Sequence, residues 1–253
     1  MFANLFFGVT EEEKERAVAT IVERASPRHE FFLMMALAIA MASMGVLLDS
    51  VVVLIGSMLI APMLYSLLAV SLGIVLADGD LLRRAFTTLG KSVVLAFIAA
   101  AVIGLFFTGT DLSTIGIINA SVPSLAYAIV AGIAGFAAAF AMTKKNLSEM
   151  LPGVAISVSL VPPLAVAGIG LAHFDWGIFV NAFLLFLTNV VGIILFAVVV
   201  FSLFGFSVKR RVAEKAVRAE DKELVHEGVI APPAKPEPKP ASEKPAMHEV
   251  TKA

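Results

Sequence analysis

The chain has 253 residues, 59% of them hydrophobic and 15% charged, with a mean hydropathy of +0.93. Soluble domains are nearer half apolar and a quarter charged, so this composition belongs to a chain embedded in a bilayer. A net charge of −1 gives no footprint for nucleic acid, and the lack of cysteine excludes disulfides, thiolate metal sites and cysteine nucleophiles.

The N-terminal segment, 1–30, opens without the basic region of a cleavable signal, and an acidic run, Glu11 to Glu13, follows. Phe2, Leu5 and Phe6 suit an interfacial anchor. Thr10 before three glutamates reads as a capping box that opens an amphipathic helix over 11–25, which Pro27 ends.

About 20 apolar residues are needed to cross a hydrocarbon core of ~30 Å. Six stretches qualify: 31–48, 51–77, 86–108, 121–142, 152–172 and 176–206. The expected fold is therefore an all-α, polytopic bundle of six transmembrane helices. Bases lie before the first span (Lys14, Arg16, Arg24, Arg28), between the second and third (Arg83, Arg84, Lys91), between the fourth and fifth (Lys144, Lys145) and after the sixth (Lys209, Arg210, Arg211). The alternate connections carry Asp49, Asp111, His173 and Asp175 but neither Lys nor Arg. The positive-inside rule then places both termini in the cytoplasm of a multi-pass protein of the cell (inner) membrane. Reading 51–62 as a re-entrant loop would move Arg83 and Arg84 outside.

Pro62 and Pro162 lie 100 residues apart, each in mid-span. The same offset pairs Asp49 with Glu149, Ser57 with Ser157, Leu64 with Leu164 and Thr88 with Thr188. These landmarks read as a 3+3 inverted repeat, with halves of about 31–108 and 121–206 and with proline-broken second and fifth spans. An odd number of spans inverts the second half, as in many secondary transporters. A proline inside a helix strips the partner from the carbonyl four residues earlier; here those belong to Met58, Val158 and Ser159. In hydrocarbon they need new donors.

The candidate substrate pathway is therefore Ser57, Pro62, Ser157, Ser159, Pro162, Pro163, Thr188 and Asn189. Asn189, central in the sixth span, must pair with other helices or line a cavity. Each of these residues has a plainer reading: a serine bonded back to its own helix, a static proline kink, or an interhelical hydrogen bond from Asn189. Small residues at four-residue spacing (Ala96, Ala100, Gly104; Ala131, Gly135, Ala139) read as helix packing, with a homo-oligomer interface as the alternative. Lys91 reads as a snorkelling side chain. Residues 207–230 read as a cytoplasmic helical extension of the last span. The tail, 231–253, is rich in Pro, Lys and Glu and is expected to be disordered.

There is no phosphate-binding loop, no H-E-x-x-H, no G-x-S-x-G and no paired intramembrane aspartate, so no enzyme, metal or cofactor is expected. The runs GVLLDSVVVLIGSMLIAPML (45–64), LPGVAISVSLVPPLAVAGIGLA (151–172) and LLFLTNVVGI (184–193) resemble the family catalogued as domain of unknown function 389. The resemblance spans roughly 31–206 and implies a multi-span membrane protein of unsettled activity, with no site residues to carry over. Many members have a longer N-terminal soluble region than the 30 or so residues found here.

Two functions fit these residues: a transporter or channel for a small solute or ion, and a structural or scaffold membrane protein that binds partners through its cytoplasmic ends. The topology is checked by single cysteines. Those replacing Asp111 and Asp175 should react with an impermeant maleimide outside intact cells, and those replacing Arg84 and Lys145 should not. Outside labelling at 145 would overturn the six-span arrangement.

Overall fold

The computed structural model describes residues 9–107, 112–144, 147 and 160–230, and no strand occurs among them. The helices are α1 (Glu11–Arg24), α2 (His29–Leu47), α3 (Val51–Ile60), α4 (Met63–Leu76), α5 (Gly79–Phe106), α6 (Gly116–Ala120), α7 (Leu125–Thr143), α8 (Val161–Ala172), α9 (Trp176–Leu203) and α10 (Arg210–His226). Helices α2, α5, α7 and α9 are each long and apolar enough to cross a membrane. Helices α3 and α4, bent by 52° at Ala61 and Pro62, make a fifth such segment if the bent pair is one span, giving four to five in all. These helices mark the chain as a membrane protein. Helix α8 has 12 residues, half the length of a span. The first part of the expected fifth span, including Ser157 and Ser159, lies outside the described residues.

The bundle has two chemically different ends. At one, Arg84 of α5 pairs with Asp221 of α10, Lys144 after α7 with Glu13 of α1 (3.5 Å), and Lys209 with Glu11 and Glu15 (2.8 Å each). At the other, the Asp49 carboxylate accepts from the N–H groups of Gly116 and Ile117 (3.3 and 3.0 Å), tying the α2–α3 turn to the α5–α7 connection. The last long helix does not run on into a cytoplasmic extension, as the sequence reading has it. Gly205 takes φ +68°, a short 3-10 turn over Phe206–Lys209 follows, and α10 folds back against α1.

Three interhelical turns share one construction. After α2, α4 and α8 the chain enters the left-handed region at Asp49, Ala77 and Phe174 (φ 48°, 49° and 57°). In each, the next N–H bonds back to a glycine carbonyl: Ser50 to Gly45, Asp78 to Gly73, and Asp175 to Gly170 (2.8, 3.1 and 2.9 Å). This is the doubly bonded helix ending that satisfies orphan carbonyls. Each glycine lies where the following helix comes closest. A Cβ on Gly73 would sit 3.2 Å from the Leu82 backbone, and one on Gly170 would sit 2.9 Å from the Phe179 nitrogen.

Small residues set the remaining contacts. Gly135 of α7 lies against Ile193 of α9, where a Cβ would be 2.6 Å from backbone atoms. Gly168 of α8 faces Ala100 and the Phe97 carbonyl of α5, and Gly104 of α5 faces Ala172 and Ile169. The small-residue faces expected in the third and fourth spans are buried inside the bundle.

Buried faces recur along the chain. Helices α2 and α7 have 19 residues each, and their buried positions match at an offset of 96 (Met35 with Ala131, Ile39 with Gly135, Ala42 with Ala138, Val46 with Met142). Helices α5 and α9 have 28 each and match at 97 (Ala85 with Ala182, Leu89 with Phe186, Ser92 with Asn189, Ala96 with Ile193, Ala100 with Ala197). Gly73 and Gly170, and Asp78 and Asp175, also pair at 97. The offset of 100 taken from the prolines is therefore not the register of these helices. Pro62 precedes α4, whereas Pro162 and Pro163 lie inside the first turn of α8.

A left-handed conformation costs a residue with a side chain about 1–2 kcal/mol. Ala77→Gly is therefore expected to raise stability by about 1 kcal/mol. Gly170→Ala is expected to lower it by about 1–3 kcal/mol through overpacking. Thermal unfolding in one detergent checks both signs.

Candidate functional site

Helices α4 and α8 form the centre of the molecule. Of α4, only Tyr65, Ile74 and Val75 escape full burial, and α8 is buried from Val161 to Gly170. Helix α4 packs on both α5 and α9, and so does α8, giving a ring in the order α4, α5, α8, α9. Neither short helix carries a proline within its body. Pro62 is the N-cap of α4, and Pro162 and Pro163 occupy first-turn positions where the missing N–H costs no intrahelical bond. Among the described residues, Pro62 thus stands at the start of α4, and Pro162 and Pro163 stand in the first turn of α8.

The two breaks differ in access. A cleft of about 240 Å³ runs from the basic end to Ile60 and Pro62, walled by Phe31, Met34 and Tyr65 and mouthed by Arg24, Arg28, Glu23 and Glu30. Arg24 donates to the Tyr65 hydroxyl (3.2 Å), and its guanidinium carbon lies 5.2 Å from the ring centre. Pro162 and Pro163 are buried.

The other expected site residues separate. Ser57 is buried but donates to the Leu54 carbonyl (2.7 Å), a bond within its own helix. Thr188 lies partly exposed and donates to Leu184 (2.8 Å). Asn189, beside it, is 3% exposed and sits at the midpoint of α9, as Ser92 does of α5. Sequence reasoning passed over Ser43, Ser66, Ser71 and Ser92, all wholly buried. Ser71 donates to Leu67 (2.9 Å) and reaches the Ile194 carbonyl of α9 (3.4 Å), whereas the hydroxyls of Ser43 and Ser66 have no hydrogen-bond partner among the described residues. A buried hydroxyl without a bond costs about 1–3 kcal/mol. Ser66 lies in the turn after Pro62, where a water or polar solute would satisfy it. Among the described residues no cluster of His, Asp or Glu could hold a metal ion.

The basic end is closed by charge. Arg28, the N-cap of α2, bridges to Glu220, Glu223 and Glu227 of α10 and its end (2.8, 2.5 and 3.5 Å). Glu220 first, then Glu223, hold the guanidinium above its ordinary pKa. Lys209, then Lys14, pull the Glu11 carboxyl from 4.5 down to about 2. Glu11 in turn, then Glu15, raise Lys209. Glu11 is fully solvated, so its contribution is small and salt-sensitive. A carboxyl depressed in the folded state stabilises fully above its unfolded pKa and loses this as pH falls through the folded one. The Glu11–Lys209 contact is thus complete above pH 4.5 and fades toward pH 2.

Arg28→Ala should free α10, because it strands the buried Glu220 and removes three bridges. A loss of about 1.4 kcal/mol is a tenfold effect. Amide exchange across residues 210–226 should quicken by about that factor or more, with α9 unchanged. Equal protection in the variant would show that the bridges hold nothing.

Comparison with known proteins places this architecture. The profile described as "Domain of unknown function (DUF389)" matches residues 58–195, from the end of α3 into α9. An uncharacterised protein of Methanocaldococcus jannaschii is 35% identical over 210 residues, which cover 78% of this chain and 63% of that one. The match thus spans under two thirds of the relative. No solved structure matches. With more than half of the chain inside the profile, including both short central helices, the protein belongs to the family described as domain of unknown function 389.

Proposed function

We propose that this protein is a secondary transporter or channel for a small solute, built as a 3+3 inverted repeat of six spans with both termini in the cytoplasm. One observation carries this reading: buried faces recur at offsets of 96 and 97 around two short, buried helices that each begin at prolines. Helix starts inside a bundle are how inverted-repeat transporters expose backbone groups to a solute. The sixth crossing is supported by the ends. Helix α7 finishes near Glu13 at the basic end, and α9, about 42 Å long, also finishes there. A further crossing between them is what these two ends support. The 52° bend between α3 and α4 is also compatible with one broken span, the reading that keeps Arg83 and Arg84 on the same side as the other bases. The open cleft at Pro62 and the buried start of α8 are what a pathway open to one side would present. The candidate pathway remains Ser57, Pro62, Ser157, Ser159, Pro162, Pro163, Thr188 and Asn189, with Ser66 and Ser92 added by their burial.

The scaffold reading draws on the α1–α10 pair, an ordered and charged surface at the basic end. Proteoliposomes separate the two. Stopped-flow light scattering over inorganic anions, cations and small polyols should show at least one solute passing faster than through protein-free vesicles. Asn189→Asp should change that rate with the fold intact, and Asn189→Leu should cost about 1 kcal/mol or more of stability. Vesicles as tight as the controls for every solute, with both variants neutral, would leave the scaffold reading.

A further inference from the structure

A second cleft, of about 580 Å³, lies at the basic end between the first turns of α5 and the facing side of α10. Its chemistry is bipolar. Arg83, Lys91 and Arg218 line it and make no ion pair among the described residues, Arg84 and Asp221 bind each other across it, and the carboxylates of Asp80 and of Glu214, the latter paired with Arg210, also border it. At its edge stands Asp78, 4% exposed. One carboxylate oxygen caps α5 by accepting from Asp80 and Leu81 (3.1 Å each), and the other, itself buried, has no hydrogen-bond partner among the described residues. The cleft thus combines unpaired cations with an acceptor that lacks its donor. That pairing suits a phosphate ester whose other end carries a hydroxyl or ammonium group.

The setting selects a lipid. Arg83, Thr87 and Lys91 follow one another at four-residue spacing on the exposed side of α5. The same side continues as Val94, Ile98 and Val102, exposed at 57%, 57% and 48%. From Lys91 to Val102 is about 16 Å along the axis, half the thickness of a hydrocarbon core. One face therefore presents a basic head and an apolar track of one leaflet's depth. Basic pockets between helices at the cytoplasmic surface attract anionic headgroups.

The geometry points to a specific site for one anionic phospholipid, with its phosphate on Arg83, Lys91 and Arg218, its headgroup donor on Asp78, and an acyl chain along Val94 and Ile98. This requires the bilayer but not transport. The delipidated full chain in detergent is titrated with phosphatidylglycerol, phosphatidylcholine and soluble glycerol 3-phosphate, and bound lipid is counted by native mass spectrometry. Phosphatidylglycerol should be retained at least about fivefold over phosphatidylcholine. The variant Arg83→Gln/Lys91→Gln/Arg218→Gln should lose that preference. A control, Arg211→Gln/Lys215→Gln/Lys222→Gln, removes equal charge outside the cleft and should keep it. Asp78→Asn retains the helix cap and should weaken only the headgroup-specific part. Equal retention of the two lipids, equal loss in the control, or equal occupancy by glycerol 3-phosphate would each overturn the site. If the triple variant does not fold, Asp78→Asn alone decides, and an unchanged preference overturns it.

Discussion

In hydrocarbon there is no water to bond a stray amide or carbonyl, so every backbone group must find its partner inside the protein. The architecture follows from that constraint at the two places where a helix begins within the bundle. Helices α4 and α8 start there, and both are buried along nearly their whole length by neighbours on each side. By contrast α3, which is unbroken, can turn Val51, Val52 and Leu59 outward at 59%, 79% and 50% exposure. Among the described residues, the helices that begin within the bundle are the buried ones, and α3 turns apolar side chains outward.

Burying two short helices between two long ones demands close approach, and small residues supply it. Apolar side chains gain little from leaving lipid for one another, so contact area and backbone proximity carry the association. Gly135 against Ile193 and Gly168 against Ala100 bring α9 and α8 to their neighbours at backbone distance. The glycine-centred turns do the same at the helix ends, and they demand left-handed conformations from Asp49, Ala77 and Phe174, residues that adopt them at a cost. Asp49 recovers part of that through its two bonds to the α6 amides.

The four long apolar helices and the bent pair were legible because hydropathy is a property of composition along the chain. The α1 cap at Thr10 and Glu13 was legible because it is a local, reciprocal pair. The offset at which buried positions recur was not. Prolines are conspicuous in sequence, yet they mark where a helix starts to within a turn, whereas the repeated quantity is which side of each helix is buried. Ser92 and Asn189 share a position in that pattern but no chemistry that would pair them by eye. The left-handed turns were hidden as well, since Ala and Phe give no signal for φ above zero. Arg24 meeting Tyr65 joins residues 41 apart, a contact that only the fold creates.

Helix α1 has a mechanical position that its amphipathic sequence does not announce. It rests on both α4 and α7, and α10 is fastened to it. Gly205 uncouples α10 from the axis of α9, so α10 follows α1 rather than the long helix that precedes it. A shift of α4 against α7 would therefore reach α10 as a tilt of α1. A movement at the centre of the bundle would be delivered to its basic end as the orientation of a charged helix.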